Sequence, residues 1–250
     1  MKIELATDQT ILLGDIERSK FGYGPLSKTI ERQDIGEDLV HRITIEAAGI
    51  LCEPYWEMEN DIEGDSYHEY IKHHRDFTLS VRKGVLDRLI KVQSSLPSNW
   101  HIILKAGYRP YSVQLDVLKA FIEQARADHP NWSERRLQTH GRTFVADPEI
   151  VCPPHVTGGA VDIDIRDRNT HKIIDFGCPP NNDTELAFLH SNLITEAQYT
   201  NRIKLLKAML HAGFAPFASE WWHYQYGETY WAAFYGHKTT KYDLLGYNER

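Results

Sequence analysis

The chain has 250 residues, 42% hydrophobic and 25% charged, with a formal net charge of −7, which is ordinary for a soluble globular protein. Acidic and basic residues are mixed throughout, and the absence of a Lys/Arg-rich stripe excludes an electrostatic grip on nucleic acid or anionic lipid. Small molecules, peptides or proteins remain as partners.

The three cysteines, Cys52, Cys152 and Cys178, are an odd number spread along the chain and make poor material for a disulfide framework. The start, MKIELATDQTILLG, lacks an apolar segment behind a basic one. No apolar run reaches the roughly 20 residues of a membrane span. The expected setting is the cytoplasm.

Residues 1–75 show no clear period, with Tyr55, Trp56, Tyr67, Tyr70, His73 and His74 scattered among acids. From about Ser80 a helical stripe forms through Val81, Val85, Leu89 and Val92, with Leu86 and Ile90 beside it. Pro97 ends it, and HIILKA (101–106) has the β-branched, apolar character of a buried strand. After GYRP, Ser112 can cap a second helix to about Ala127, with Val113, Val117, Phe121 and Ala125 aligned. Residues 128–154 read as loop. Strand character returns at AVDIDI (160–165) and KIID (172–175), and GCPPNND (177–183) is loop by composition. A third helix is predicted from about Asn201 to His211, with Ile203, Leu206 and Leu210 aligned and Gly213 at C′. EWWHYQY (220–226) is the last predicted strand. Later strands follow one another without helical crossovers, so the order favours an α+β fold with a largely antiparallel central sheet and flanking helices. No boundary signal divides residues 1–250, which read as one domain with residues 1–55 an unplaced extension.

Three segments carry residues with chemical potential. His155 follows Pro153–Pro154 and precedes Gly158–Gly159, a pair that allows a sharp reversal, and Asp162 then enters an otherwise apolar strand. Catalytic zinc sites take three protein ligands and leave one position open, and His and Asp are suitable donors. The same residues also fit a solvated loop histidine and an edge-strand aspartate. Glu220 and His223 flank two tryptophans. Residues three apart on a regular strand point to opposite faces, so the two can share a site only if Glu220 precedes the strand or a bulge intervenes. The alternative is an aromatic core strand with a surface glutamate. Arg109, in Gly107-Tyr108-Arg109-Pro110, could place its donors over a cleft, or simply pair with a nearby carboxylate. Asp164 shares the strand parity of Asp162, and Cys152 and Cys178 read as packing residues.

Taken jointly and in this order, these segments resemble one family. GYRP (107–110), HVTGGAVDI (155–163) and SEWWHYQYG (219–227) are similar to the D-alanyl-D-alanine dipeptidases of the vancomycin-resistance type, within the zinc D,D-peptidases related to the hedgehog-like fold. Asn201–Arg202, the helix to Gly213, and the run from VRKGVLDRL (81–89) to Arg109 extend the likeness over about residues 60–227. The resemblance implies that His155, Asp162 and His223 hold one zinc ion per chain, that Glu220 is the catalytic base, and that Arg109 steadies the tetrahedral intermediate. It implies hydrolysis of a small D-Ala-D-Ala-like peptide by a metal-activated water. Two positions depart from the family: Pro153 stands where a serine is usual, and Asn181 where an aspartate helps hold the substrate amine. Asp183, two residues on, and Tyr108 are the candidate substrate contacts. The departures keep open a D,D-carboxypeptidase or L,D-peptidase acting on longer cell-wall peptides. A zinc-binding module without catalysis is a further alternative, which the presence of Glu220 and Arg109 disfavours.

Overall fold

The computed structural model describes residues 14–54, 79–182 and 184–246. The aromatic and histidine cluster at 55–74, with His73 and His74, lies outside the described residues, as does Asp183.

The architecture is α+β. Five strands form the central sheet in the order β2-β4-β5-β7-β6: β2 (Leu51–Cys52), β4 (Trp100–Ala106), β5 (Ala160–Asp167), β6 (Ala215–Phe217) and β7 (Glu220–Gln225). Only the β2–β4 pair is parallel. A small antiparallel pair joins β1 (Leu39–Val40) to β3 (Val81–Arg82). Among the described residues, besides a single helical turn at Gly24–Ser27, the main helices are α1 (Arg42–Ala47), α2 (Lys83–Ser95), α3 (Tyr111–Asp128), α4 (Glu134–Phe144), α5 (Glu196–His211) and α6 (Thr229–Tyr235).

Side-chain parity on β5 decides what each sheet face does. Val161, Ile163 and Ile165 join the main core with Ile102 and Leu104 of β4, against Val85, Leu89 and Val92 of α2 and Leu205, Leu206 and Met209 of α5. Alternation sends Asp162, Asp164 and Arg166 to the other face. One face therefore carries the core and the other a row of polar groups. Arg166 there forms a two-bond pair with Glu53 beside β2, and buried Asp164 is pushed up to about 7 by loss of solvent.

The predicted elements from residue 80 onward are found, with several differences. Val81 lies in β3 and α2 starts at Lys83, and Pro110 and not Ser112 is the N-cap of α3, with no side-chain cap bond. The expected loop at 128–154 contains α4, whose sequence ERRLQTHGRTF offers little apolar signal and an interior glycine. That glycine is a packing device: a Cβ on Gly141 would lie 2.6 Å from Ile122 Cγ1, so its absence lets α4 press onto α3. The buried stripe of α3 runs through Val113, Val117, Leu118, Ile122 and Ala125, which leaves Phe121 38% exposed. KIID (172–175) makes a single bridge to Arg166 rather than a strand. Helix α5 begins at Glu196, earlier than its apolar spacing suggests, because Thr195 and Gln198 form a capping box.

The N-terminal segment packs into this frame. Glu31 and Ile35 bond along residues 238–241, and Tyr242 donates to Glu37 at 2.6 Å. Arg82, 2% exposed, donates to Glu37 O and Asp34 and, from the same guanidinium, to Thr157 O at 2.8 Å.

Glu228 caps α6 through bonds from Tyr230 N (2.7 Å) and Trp231 N (2.6 Å) while fully buried. Burial outweighs those bonds and pushes its carboxyl up to about 7 from an ordinary 4.5. An acid whose pKa is higher folded than unfolded favours folding fully below the lower value, and that contribution is lost as pH rises through the higher one. Denaturant melts should therefore show wild-type stability falling between about pH 5 and 7 relative to Glu228→Gln, whose amide does not titrate. A difference that stays constant over this interval would contradict the assignment.

Candidate metal centre

Three buried side chains converge on the polar face of the sheet. Asp162 and His223 are directly opposed in the β5–β7 register, and His223 Nδ1 lies 2.9 Å from Asp162 Oδ1. His155 Nε2 lies 3.4 Å from Asp162 Oδ2. One ligand atom from each residue falls within 4.8 Å of the others, the arrangement a metal ion needs.

His155 is aimed by its backbone. Pro153 and Pro154 lead into a 3-10 turn, Pro154–Thr157, that ends at Gly158 with φ +72°. Arg109 N donates to His155 O at 3.0 Å, tying GYRP to this turn. The ring donates from Nδ1 to Gly107 O at 2.6 Å, which leaves the Nε2 lone pair facing Asp162. Gly159 lets β5 and the end of β7 close together, since a Cβ there would meet Tyr226 O at 2.4 Å.

The pairing of Glu220 with His223 comes from an irregularity in the β6–β7 hairpin. Pro216 pairs with Tyr224, yet the next step pairs Phe217 with Glu220, so Trp221, Trp222 and His223 have no matching step on β6. This bulge cancels the parity that would separate residues three apart. Glu220 Oε2 comes within 3.8 Å of His223 Nδ1, with the Glu220 side chain still 38% exposed at the mouth of the site. Trp221 fixes the start of the strand by stacking on Phe176 at 4.2 Å and donating from Nε1 to Cys178 O.

Burial and mutual charge set the protonation of the group. Burial alone would raise the Asp162 carboxyl, but the two imidazoles prevail and hold it well below the usual carboxylate range. Burial pulls His155 down, which favours the neutral ring that a metal requires. Burial opposes the charge on His223 too, but the Asp162 hydrogen bond reverses the sign and raises it. Glu220 is raised, chiefly by its crowded surroundings, with the His223 and Arg109 charges pulling the other way. A carboxyl raised in this way is a better proton acceptor near neutrality.

Of the sequence candidates, His155, Asp162, His223 and Glu220 meet at one point, and the Arg109 charge is felt by both Glu220 and His155. Tyr108 is buried at 8% exposure, its amide bound to Ser80 O. Sequence reasoning passed over Gln114, which is 2% exposed and bridges Arg109 Nη1 (3.1 Å) to Ala146 O (2.7 Å). A glutamine inside an apolar helix stripe was the available sign. It also left Arg202 without a role. That fully buried guanidinium donates to Phe176 O, Leu186 O and Phe188 O, gathering the loop beside Trp221.

The family described as D-ala-D-ala dipeptidase matches residues 78–241. A D-alanyl-D-alanine dipeptidase of Synechocystis sp. is 26% identical, covering 87% of this chain and 93% of the relative. Among solved structures, the LdcB LD-carboxypeptidase shares 16% identity over 83% of this chain and 81% of its own, with a TM-score of 0.42. The vancomycin resistance D,D-pentapeptidase VanY, solved as a mutant in complex with Zn(II), shares 17% over 59% of this chain and 72% of its own, with a TM-score of 0.33.

The close approach at Gly159 is directly testable. Gly159→Ala should lower unfolding free energy by about 1–3 kcal/mol, because the new methyl meets backbone and not a movable side-chain end. A chemical melt matching wild type would mean that β5 and residue 226 can separate at no cost.

Proposed function

Since this chain belongs to the D-Ala-D-Ala dipeptidase family, and is therefore a peptidase, we propose that it is a zinc-dependent enzyme hydrolysing D-Ala-D-Ala or a closely related short D-amino-acid dipeptide. The observation that carries this reading is the buried His155, Asp162 and His223 set with Glu220 3.8 Å from His223. Two imidazole nitrogens and one carboxylate oxygen are a donor set suited to zinc, and three protein ligands leave a position open for chemistry. The same reading takes the chain as one catalytic unit holding one zinc ion.

A zinc ion bound there supplies Lewis acidity, polarising the scissile carbonyl and lowering the pKa of water to about 7. The residues then divide the remaining work. Glu220, raised and still open to the site mouth, accepts the proton of the attacking water and returns it to the leaving amine. Arg109, steadied by Gln114, directs positive charge at the oxygen on which negative charge develops. Gly107 O keeps the His155 ring in its ligating tautomer.

Glu220→Ala should retain about one zinc per chain while kcat falls by about 10²–10⁴-fold. Metal content by atomic emission and dipeptide hydrolysis, measured on the same preparation, check this. Loss of zinc along with activity would instead make Glu220 a structural partner of the site. A second reading, cleavage of longer cell-wall peptides as a D,D-carboxypeptidase or L,D-peptidase, is favoured by Pro153 and Asn181. Asn181 holds a left-handed φ of +64°. The first reading expects free D-Ala-D-Ala to be cleaved faster than its N-acetylated form, and the second expects the reverse.

A further inference from the structure

On the core side of β7, away from His223, an open cleft of about 430 Å³ lies between α2, the end of α5, α6 and residues 237–241. Its walls include Arg88, Lys238, Lys241 and His237, with no carboxylate among the lining residues. In a chain of net charge −7, that local excess of positive charge is against the average.

Two of the cations, Arg88 and Lys241, lie against aromatic rings. The Arg88 guanidinium carbon sits 3.5 Å from the Tyr226 ring centroid. Lys241 Nζ is 5.2 Å from the same centroid and 5.8 Å from that of Trp231. His237 stacks on Trp231 at 4.6 Å. The rings are fixed in turn, as Trp231 Nε1 donates to Gly213 O and Tyr235 OH to Phe214 O.

Two like charges sharing one ring repel each other, and the ring quadrupole offsets only part of that cost. Among the described residues, no carboxylate lies within ion-pair distance of Arg88, Lys238 or Lys241. Asp15, whose charge reaches Tyr235 at the cleft wall, is already paired with Arg18. Arg88 makes one hydrogen bond to protein, from Nη1 to Gly84 O at 2.9 Å, and its buried Nε has none. A guanidinium clamped by stacking, with donors left over and two ammonium groups nearby, is a preorganised oxyanion receptor.

We infer that this cleft binds a phosphate-class dianion, as the free ion or as the head of a phosphomonoester. Three permanent positive charges with no ion-paired carboxylate among the described residues match a doubly charged group better than a single carboxylate. The site stands on the opposite sheet face from the metal centre and is independent of the peptidase reading.

The test is calorimetric titration of the full zinc-loaded chain with inorganic phosphate, a simple phosphomonoester, and acetate, all at matched ionic strength in chloride. Expected is saturable binding of phosphate or the monoester, with acetate at least about tenfold weaker, and a Tm increase of about 3–6 °C at ten times Kd. The favoured source is whichever of the two phosphate probes binds more tightly. Phosphate can also bind zinc, so the decisive arm is Lys238→Gln/Lys241→Gln, which leaves the metal centre untouched. Binding should weaken by about tenfold or more in that variant while peptide hydrolysis stays at the wild-type rate. Unchanged phosphate affinity in the variant, equal affinity for acetate, or no saturable heat in the wild type would each overturn the assignment.

Discussion

The organisation of the site depends on one buried carboxylate. Asp162 is 7% exposed and lies where an unpaired charge would cost several kcal/mol. Its solution is to face two imidazoles, one from the directly opposed residue of the neighbouring strand and one from a turn that must be bent toward it. The first partner follows from sheet register alone. The second has to be built, which explains why the local sequence is so specialised: two prolines start the turn, Gly158 ends it in a left-handed conformation, and Gly159 admits the backbone of residue 226.

Two buried arginines brace this arrangement where regular structure is missing. A backbone carbonyl removed from water needs a donor, and turns and loops supply few of their own. Arg82 meets Thr157 O on the ligand-bearing turn and ties it to residues 34 and 37. Arg202 performs the same task for Phe176, Leu186 and Phe188 next to Trp221. Through Arg82 the N-terminal segment becomes part of the scaffold of the metal centre, which gives residues 31–40 a structural role that composition alone did not suggest.

Legibility in the sequence followed the range of the forces involved. Apolar period and strong breakers marked α2, β4, β5 and the end of α5, because those signals are local. Helix α4 is hard to read because its apolar face is short, with Leu137 at its centre, and its close approach to α3 needs the absent Cβ of Gly141 over Ile122. By residue type and spacing the candidate metal ligands are three separate signals, which only the joint resemblance of their segments to one family groups together. What unites them is a register between residues 162 and 223 and a bulge after Pro216, both products of long-range pairing. The bulge in particular answers the parity objection to placing Glu220 beside His223, and nothing in EWWH alone announces it. Gln114 escaped notice for the opposite reason: its helix pattern was clear enough to be read as packing.

The same division separates chemistry from substrate choice. Asp162, His223 and Glu220 are held by strand pairing, which cannot drift by one residue without turning every side chain to the wrong face, and His155 by the turn that precedes β5. Pro153 and the loop containing Asn181, the positions that the resemblance sets apart from the family's pattern, lie outside the strands. Pro153 opens the turn, and its carbonyl accepts from Val156 N. Loops tolerate such changes because little of the core depends on them. On the proposed reading, a scaffold of this kind can keep its His-Asp-His geometry while its substrate preference varies, so differences in peptide choice are to be sought at 153 and 181, not in that set.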